Sequence, residues 1–359
     1  MSNRLTELRE QIGQLDRDLV DLAARRVALA REAGELKREM RLSIVDYAQE
    51  RAVLDRARAA ASQSGLDPAV AEALLDTLIR TSVSAQDRDS VKRASVGAGK
   101  RAVVVGGEGR MGRWFLRFLA DQGYTVGSLD PQATDDEQAW ARGALASAEL
   151  VVSAAPPVAT AQVYESWMAS PPAGVIVDIA SIKTPLIDSI RRLQQAGAKV
   201  ASIHPMFGPS VVLLRECDVV ICDTGDTAAE REVARLFEPT TARVLRMPLE
   251  EHDRLMADVL TLAHATAIAF ALALPGTASP VRSTTLAALE RLSANVVRES
   301  PDVYFEIQAR NPHSARAIAR LAAAVARVGE VVTAQDADRF RGLMEEGRAR
   351  TAFGQLGIG

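Results

Sequence analysis

The chain has 359 residues, of which 48% are hydrophobic and 25% charged, a balance typical of a globular protein with two or three domains. Its net charge of −3, with 16 basic and 16 acidic residues among residues 1–95, argues against nucleic acid as a partner. It has neither an N-terminal apolar segment nor a run of 18 apolar residues, so we expect no membrane span and a cytoplasmic protein with two reduced cysteines.

The first hundred residues show helical periodicity and no strand pattern. Apolar side chains recur every three or four positions, which predicts one long helix over residues 4–41. At about 1.5 Å per residue this helix is roughly 57 Å long. That exceeds the size of a small domain, so we expect the helix to pack against another chain. Two further helices are predicted over residues 46–62 and 67–87, the latter opened by an Asp-Pro cap.

A basic residue interrupts the apolar stripe of the first helix. Arg26 occupies the stripe position between Leu22 and Leu29. Lys37 lies eleven residues further on nearly the same face, whereas Arg9 points elsewhere. A buried guanidinium needs a partner. Taken alone, Arg26 more commonly fixes helix register through an internal carboxylate, but two cations on one stripe also suit a small dicarboxylate ligand.

Beyond a stretch of small residues at 94–99, which predicts a flexible linker, the pattern changes. Strand and helix patterns alternate, as in a doubly wound parallel sheet. From about residue 250 the chain is rich in Ala, Leu and Arg and is predicted to be helical. The predicted strands are Ala102–Val105, Thr125–Leu129, Leu150–Ser153, Val175–Asp178, Lys199–Ile203 and Asp218–Cys222.

A glycine fingerprint follows the first of these strands. The G-x-G-x-x-G pattern lies between a strand and an amphipathic helix, which is the context of a dinucleotide-binding loop. We expect Gly107 to make the tight turn, Gly109 to let the backbone approach a pyrophosphate, and Gly112 to let the helix pack on the strand. Arg110 and Met111 then lie at the helix N-terminus, beside the phosphates.

Polar residues at three other strand ends extend this site. Asp130, 23 residues beyond Gly107, is placed to accept a hydrogen bond from the ribose 2′-hydroxyl, so we expect NAD rather than NADP. Ser181 follows one strand, and His204 leaves another into a loop rich in Pro and Gly. Taken alone, His204 is as readily a structural histidine as a catalytic one; beside an NAD site, catalysis is favoured. No metal site is predicted.

Residues 100–359 resemble the prephenate dehydrogenase family through the motifs VVVGGEGRMG, DIASIK, HPMFGP, EEHDRLMA and SPDVYFEI. The resemblance implies oxidative decarboxylation of prephenate to 4-hydroxyphenylpyruvate with reduction of NAD. It also implies that His204 accepts the proton of the ring hydroxyl and that Ser181 orients His204 and the substrate. His264 corresponds to a histidine near the substrate pocket, although a buried helix histidine is an equally good interpretation.

One position departs from that family. Its substrate-carboxylate arginine corresponds to Asn295, six residues before Pro301. Arg291 and Arg298 share a helix face with Asn295, so either arginine is a candidate for the missing charge. The departure leaves open whether prephenate or arogenate is preferred.

Residues 4–90 resemble the all-helical chorismate mutase family, in which long helices from two subunits enclose each site. The resemblance implies that Arg9, from the neighbouring chain, and Arg26 bind the two carboxylates, and that Glu50 binds the ring hydroxyl. Where the family has an arginine before Glu50, this chain has Gln49. The candidate residues carried over are Arg9, Arg26, Lys37, Asp46, Glu50, Ser82 and Gln86, of which Lys37 and Gln86 would donate to the ether oxygen.

The two resemblances together predict a bifunctional chorismate mutase/prephenate dehydrogenase that makes prephenate and then oxidises it. We expect an all-α mutase domain (1–92), a linker (93–99), an α/β Rossmann NAD domain (100–247) and an all-α substrate and dimerisation domain (248–359), in a homodimer. One alternative is a dehydrogenase whose N-terminal helices are a weakly active or inactive dimerisation or regulatory module. Another, given Asn295, is a sensor with impaired catalysis.

Overall fold

The computed structural model describes residues 2–40, 42, 46–211, 214–215, 217–276 and 281–355. The chain forms two compact units. The first unit comprises Met1–Ala155, Gln162–Ala180 and Ser189–Met247, and the second comprises Pro156–Ala161, Ser181–Asp188 and Pro248–Gly359.

Three helices open the first unit: α1 (Ser2–Glu39), α2 (Tyr47–Ser64) and α3 (Pro68–Ala94). The carboxylate of Asp46 caps α2 by accepting a hydrogen bond of 3.0 Å from the backbone N–H of Gln49. The sequence predicted these three helices, although residues 41 and 43–45 lie outside the described residues. Helix α3 continues seven residues beyond its predicted end because no Gly or Pro follows until residue 97.

Helix α1 packs on α3 along one face. Arg26 of α1 contacts Ser82 of α3, and Arg31 contacts Asp89. Residue numbers therefore increase in the same direction along both helices, which run parallel. The apolar stripe of α1, apart from Arg26, is largely exposed. The exposed members of that stripe are Leu5, Leu8, Ile12, Leu15, Leu19, Leu22, Leu29, Leu36 and Met40.

A seven-stranded sheet with strand order β2-β1-β3-β4-β5-β6-β7 forms the rest of the first unit's framework. Its strands are β1 (Arg101–Val105), β2 (Thr125–Leu129), β3 (Leu150–Ser153), β4 (Val175–Asp178), β5 (Lys199–Pro205), β6 (Asp218–Asp223) and β7 (Arg243–Pro248). The connecting helices are α4 (Arg110–Asp121), α5 (Asp135–Leu145), α6 (Pro157–Ser166), α7 (Ile187–Gln195) and α8 (Thr227–Arg235).

The first five strands are parallel, as the alternation predicted, but the sheet is not parallel throughout. Strand β6 runs antiparallel to β5, pairing Ser202 with Cys222 and His204 with Val220. This pairing keeps residues 204 and 205 inside β5, where the sequence analysis expected a loop after residue 203. Strand β7 was not predicted.

The N-terminal helices and the sheet share one hydrophobic core. Val91 of α3 belongs to the same buried cluster as Trp114 and Phe118 of α4. The segment expected to be a flexible linker is a turn, in which the N–H of Gly97 donates to the carbonyl of Gln122 at 3.0 Å. Because α3 runs into this turn, the mutase-like helices and the sheet form one compact unit.

The second unit is helical among its described residues. Its helices are α9 (Leu249–Met256), a π-helical turn (Ala257–Thr261), α10 (Leu262–Ala273), α11 (Thr284–Val297), α12 (Pro301–Arg310), α13 (Ser314–Thr333) and α14 (Ala337–Gln355). By length and composition alone, the continuous segment Leu249–Ala273 could cross a membrane. The same properties suit a helix packed in a bundle, and α10 does pack against α11 and α13.

Candidate active sites

The fingerprint loop is closed tightly by its glycines. Gly106, with φ of +75°, makes the turn that the sequence analysis assigned to Gly107. A Cβ on Gly107 would lie 2.3 Å from the Ser128 hydroxyl, and one on Gly112 would lie 2.1 Å from the carbonyl oxygen of Gly106. Only glycine therefore fits at either position without a shift in the structure.

The N-terminus of α4 offers hydrogen-bond donors to an anion. Gly109 is its N-cap and provides no side-chain cap, and the positive end of the α4 dipole lies here, where a phosphate is favoured. Arg110 is exposed and Met111 is half-buried at this helix start. These features fit the pyrophosphate of a dinucleotide.

Asp130 lies directly after β2, as predicted for a ribose-binding carboxylate. Its two oxygens accept hydrogen bonds from the backbone N–H groups of Glu108, at 3.2 Å, and of Gln132, at 2.8 Å. Because Glu108 belongs to the fingerprint loop, the first of these hydrogen bonds connects Asp130 directly to that loop. The loop and the carboxylate thus form one cradle whose chemistry matches NAD.

His204 is at the same edge of the sheet as the fingerprint loop. It is the next-to-last residue of β5 and 4% exposed. Strands β3 and β4 separate β1 from β5, which puts the strand ends about 14 Å apart at roughly 4.8 Å per strand. Open α/β sheets bind ligands in the crevice outside such strand ends.

In the second unit, a buried carboxylate organises the turn that begins at Ser181. Asp253 accepts hydrogen bonds of 2.7 Å from the backbone N–H of Lys183 and from both the N–H and the hydroxyl of Thr184. His252, which is fully buried, contacts the same carboxylate at 2.8 Å. Burial raises the pKa of Asp253, but the hydrogen bonds from His252, Thr184 and Lys183 together hold it below its usual value. Asp253 belongs to the EEHDRLMA motif but was not among the predicted site residues.

His264 lies on α10 beside the tyrosine of the SPDVYFEI segment. Its ring centroid is 4.4 Å from that of Tyr304, and burial lowers the pKa of His264. Among the described residues, neither His264 Nδ1 nor the buried amide atoms of Gln308 have a hydrogen-bond partner. Gln308 follows Tyr304 by one helical turn on α12, so these side chains are available to a polar ligand. The sequence analysis missed Gln308.

The candidate carboxylate-binding residues lie on and next to α11. Arg291 and Asn295 are on the helix, and Arg298 is its C-cap. All three side chains are exposed. Their role in substrate binding stays a prediction.

In the mutase-like helices, the partners of Arg26 among the described residues are neutral. Its Nη1 donates to the carbonyl of Leu78 and to the hydroxyl of Ser82, each at 3.1 Å. Burial lowers the pKa of Arg26, and among the described residues it has no carboxylate within ion-pair distance. The internal carboxylate considered from the sequence is therefore not its partner, and the guanidinium charge is left for an anion.

The other predicted mutase residues lie around the same helices. Lys37 Nζ is 4.0 Å from Asp46 Oδ2. The side-chain nitrogen of Gln86 donates to the carbonyl of Ala30. A Cβ on Gly34 would lie 2.8 Å from the Gln86 side chain, so a glycine on α1 makes room for that amide.

The last two candidates are Arg9 and Glu50, of which Glu50 follows Asp46 by one turn of α2. Arg9 is exposed and lies seventeen residues before Arg26, about 26 Å along the same helix. Glu50 binds Arg215, a residue of the segment between β5 and β6, through two hydrogen bonds. No spacing rule connects two residues so far apart in the chain, and the sequence analysis missed Arg215.

Comparison with known families covers most of the chain. The family model described as chorismate mutase type II matches residues 8–87. The models for the prephenate dehydrogenase nucleotide-binding domain and dimerization domain match residues 120–246 and 248–346. A T-protein of Enterobacter agglomerans is 31% identical over 86% of this chain and 82% of its own length. The chain belongs to the T-protein family.

Other relatives are dehydrogenases. A 4-amino-4-deoxyprephenate dehydrogenase of Streptomyces pristinaespiralis is 32% identical over 68% of this chain and 89% of its own length. The crystal structure of A. aeolicus prephenate dehydrogenase with hydroxyphenyl propionate and NAD⁺ has a TM-score of 0.57 at 17% identity. It covers 73% of this chain and 99% of that one, and the likeness is one of fold.

As a member of the T-protein family, the chain is a bifunctional enzyme of tyrosine biosynthesis. It combines chorismate mutase with NAD-dependent prephenate dehydrogenase. The predicted fold class, with an all-α mutase domain, a Rossmann NAD domain and a helical C-terminal domain, is confirmed. The N-terminal helices are therefore a mutase domain, and the interpretation as a regulatory module alone is not supported.

Proposed function

We propose that the mutase reaction takes place against the α1–α3 face, with Arg26 binding one substrate carboxylate. The proposal rests on the two partners of Arg26, the carbonyl of Leu78 and the hydroxyl of Ser82. Both are neutral, so they leave the guanidinium charge uncompensated. The rearrangement of chorismate needs no nucleophile and no proton transfer. It needs a compact substrate conformation and stabilisation of the negative charge that grows on the ether oxygen.

Lys37 and Gln86 are our candidates for that stabilisation. Lys37 carries a positive charge, and Gln86 presents an amide donor on the face of α3 that meets α1. Asp46, which caps α2, contacts Lys37 and orders the start of the helix that carries Glu50. Glu50 accepts a hydrogen bond from the ring hydroxyl in this proposal, and Ser82 orients Arg26.

We propose a homodimer in which Arg9 serves the site of the partner subunit. The support is the exposed apolar stripe of α1, which is too long for its own domain to cover. The distance of about 26 Å along the helix between Arg9 and Arg26 also favours a role in a different site. The family model that matches the C-terminal domain is described as a dimerization domain, which also supports a homodimer. We propose the cytoplasm as the compartment.

Complementation between two inactive variants tests this shared site. Arg9→Ala and Lys37→Ala homodimers each lack one residue in both sites, but a mixed dimer has one site with Lys37 from one subunit and Arg9 from its partner. Refolding the two variants together should therefore restore up to half of the mutase activity per mixed dimer. The matched control mixes Lys37→Ala with Arg26→Ala, which rebuilds no intact site. Equal recovery in both mixtures would refute the shared site.

For the dehydrogenase, we propose that His204 accepts the proton of the prephenate ring hydroxyl. Bound NAD supplies the hydride acceptor, and loss of carbon dioxide makes the step effectively irreversible. His204 is buried near the end of β5, and an imidazole at this rim is suited to general-base catalysis. Ser181 follows β4, and its turn is fixed by Asp253.

We also propose that His264 and Gln308 bind the substrate in the second unit, because their polar atoms have no partner among the described residues. Arg291 and Arg298 are candidates for the carboxylate charge that Asn295 lacks. The gain from a desolvated arginine over a neutral amide is about a few kcal/mol.

Reciprocal variants test whether the two reactions use separate sites. Lys37→Ala should abolish loss of chorismate while leaving NADH formation from added prephenate unchanged. His204→Asn should lower dehydrogenase turnover about 100-fold while leaving NADH binding and mutase activity intact. If each substitution removed both activities together, the assignment of two separate sites would be wrong.

A further inference from the structure

Glu50 of the mutase helices and Arg215 of the NAD-binding part form a two-point ion pair inside the first unit. Arg215 Nη1 lies 2.8 Å from Glu50 Oε1, and Arg215 Nη2 lies 2.6 Å from Oε2. The two side chains are only 9% and 19% exposed. A pair this sheltered from water, with two parallel hydrogen bonds, is stronger and better oriented than an ion pair on the surface.

A second contact fixes the position of the Arg215 guanidinium. Its Cζ lies 5.0 Å from the ring centroid of Tyr47, the first residue of α2, in a cation–π contact. The first turn of α2, residues 47–50, contains no basic residue of its own. Arg215 thus brings a positive charge to the turn that carries Glu50, from a segment 165 residues further along the chain.

We propose that Arg215 is a positioning residue of the chorismate mutase site. It fixes the plane of the Glu50 carboxylate and supplies a cation at the first turn of α2. The proposal rests on the role of Glu50 in binding the substrate ring hydroxyl. Each carboxylate oxygen keeps a further acceptor position when it binds one guanidinium N–H, so Glu50 still accepts a substrate hydroxyl while Arg215 holds it.

The consequence is that the mutase site is completed by a residue outside the N-terminal helices. Arg215 lies between β5 and β6, and β5 is the strand that carries His204. A second contact joins the same two parts of the unit, since the Thr241 hydroxyl donates to Asp87 of α3. Mutase activity therefore depends on a segment that belongs to the NAD-binding sheet.

Removal of Arg215 should affect the two activities unequally. Without its partner, the sheltered Glu50 carboxylate loses both its orientation and its compensating charge, which is costly for a group largely removed from water. We expect Arg215→Ala to lower mutase kcat/KM by about 10- to 100-fold, a size typical of an unpaired charge at a binding site. NADH formation from added prephenate should stay within twofold of wild type.

The experiment compares three full-length variants with wild type in both assays. Arg215→Lys retains the charge without the two-point geometry, so its mutase activity should lie between those of Arg215→Ala and wild type. Arg243→Ala is the matched control, because Arg243 also forms a two-point pair, but its partner is Asp218 of the sheet and its side chain is 61% exposed. It should leave mutase activity within twofold of wild type.

A double-mutant cycle with Glu50→Gln decides whether Arg215 acts through Glu50. If it does, Glu50→Gln with Arg215→Ala should lose no more mutase activity than Glu50→Gln alone. Losses that multiply would overturn the proposal, and so would Arg215→Ala with mutase activity within twofold of wild type. Parallel loss of both activities in Arg215→Ala and Arg215→Lys would indicate a general structural role and would also overturn it. A wild-type protein without mutase activity would instead refute the proposed role of the site.

Discussion

Substitution of Gly112 by alanine tests whether the fingerprint loop binds the cofactor as its geometry implies. A Cβ at this position would lie 2.1 Å from the carbonyl oxygen of Gly106 and 2.7 Å from the Cα of Gly107. The carbonyl oxygen is the closer of the two, and a non-bonded carbon and oxygen normally stay about 3.2 Å or more apart, so α4 and the loop must separate by roughly 1.1 Å. A misplacement near 1 Å at a binding site costs about 100-fold, and we expect NADH affinity to fall by about that factor.

Gly143→Ala is the matched control for this substitution. Gly143 lies in α5 of the same unit, and no atom lies within 4 Å of the position that its Cβ would take. Alanine in an exposed helix interior is more favourable than glycine by up to about 1 kcal/mol, so Gly143→Ala should be neutral or slightly stabilising.

NADH affinity is measured by fluorescence titration, and mutase activity in the same preparation shows that the N-terminal helices are folded. Gly112→Ala should lose NADH binding and prephenate oxidation while keeping mutase activity, and Gly143→Ala should resemble wild type in all three. NADH affinity of Gly112→Ala within twofold of wild type would refute the assignment of this loop as the pyrophosphate site.

Two further predictions concern the mutase helices. Gly34→Ala should lower mutase kcat/KM by about tenfold because its methyl group displaces the Gln86 amide. Gly13→Ala on the same helix should not, because the only atom near its methyl group is Nη1 of Arg17 at 3.8 Å. Equal activities of the two variants would show that Gln86 is not part of the site. Burial raises the pKa of Asp87 to about 6, despite the hydrogen bond from Thr241, so the stability that neutral Asp87 contributes is complete below about pH 4 and is lost as the pH rises through 6. The Tm of Asp87→Asn relative to wild type should therefore increase as the pH rises from 4.5 to 7.5. The corresponding change in the free energy of unfolding is about 2 kcal/mol. A difference in Tm that does not depend on pH would contradict this prediction.

Periodicity was sufficient to predict the N-terminal helices, strands β1 to β6 and the helical character of the C-terminal part. The stripe of α1, the Asp-Pro cap of α3 and the strand patterns of β1 to β6 are local patterns, and local patterns are readable in one sequence. Strand direction is not such a pattern, so the antiparallel pairing of β6 with β5 was missed. That pairing also explains why His204 lies inside a strand and not in the following loop.

Site residues on neighbouring helices could be predicted from the sequence, whereas those brought together from distant segments could not. Arg26, Ser82 and Gln86 lie on the facing sides of α1 and α3, as residues spaced along helices can be predicted to do. Arg215 beside Glu50, and Asp253 beneath the turn of Ser181, depend on contacts between distant segments. No periodicity or spacing connects such segments, so only the folded chain shows these contacts.

The central claim is that one chain makes prephenate at one site and oxidises it at another. The most direct test follows purified protein in two parallel assays, loss of chorismate without NAD and formation of NADH from added prephenate with NAD. We predict both activities in wild type, loss of only the first in Lys37→Ala, and loss of only the second in His204→Asn. Wild-type protein that forms NADH from prephenate but leaves chorismate unchanged would contradict the account.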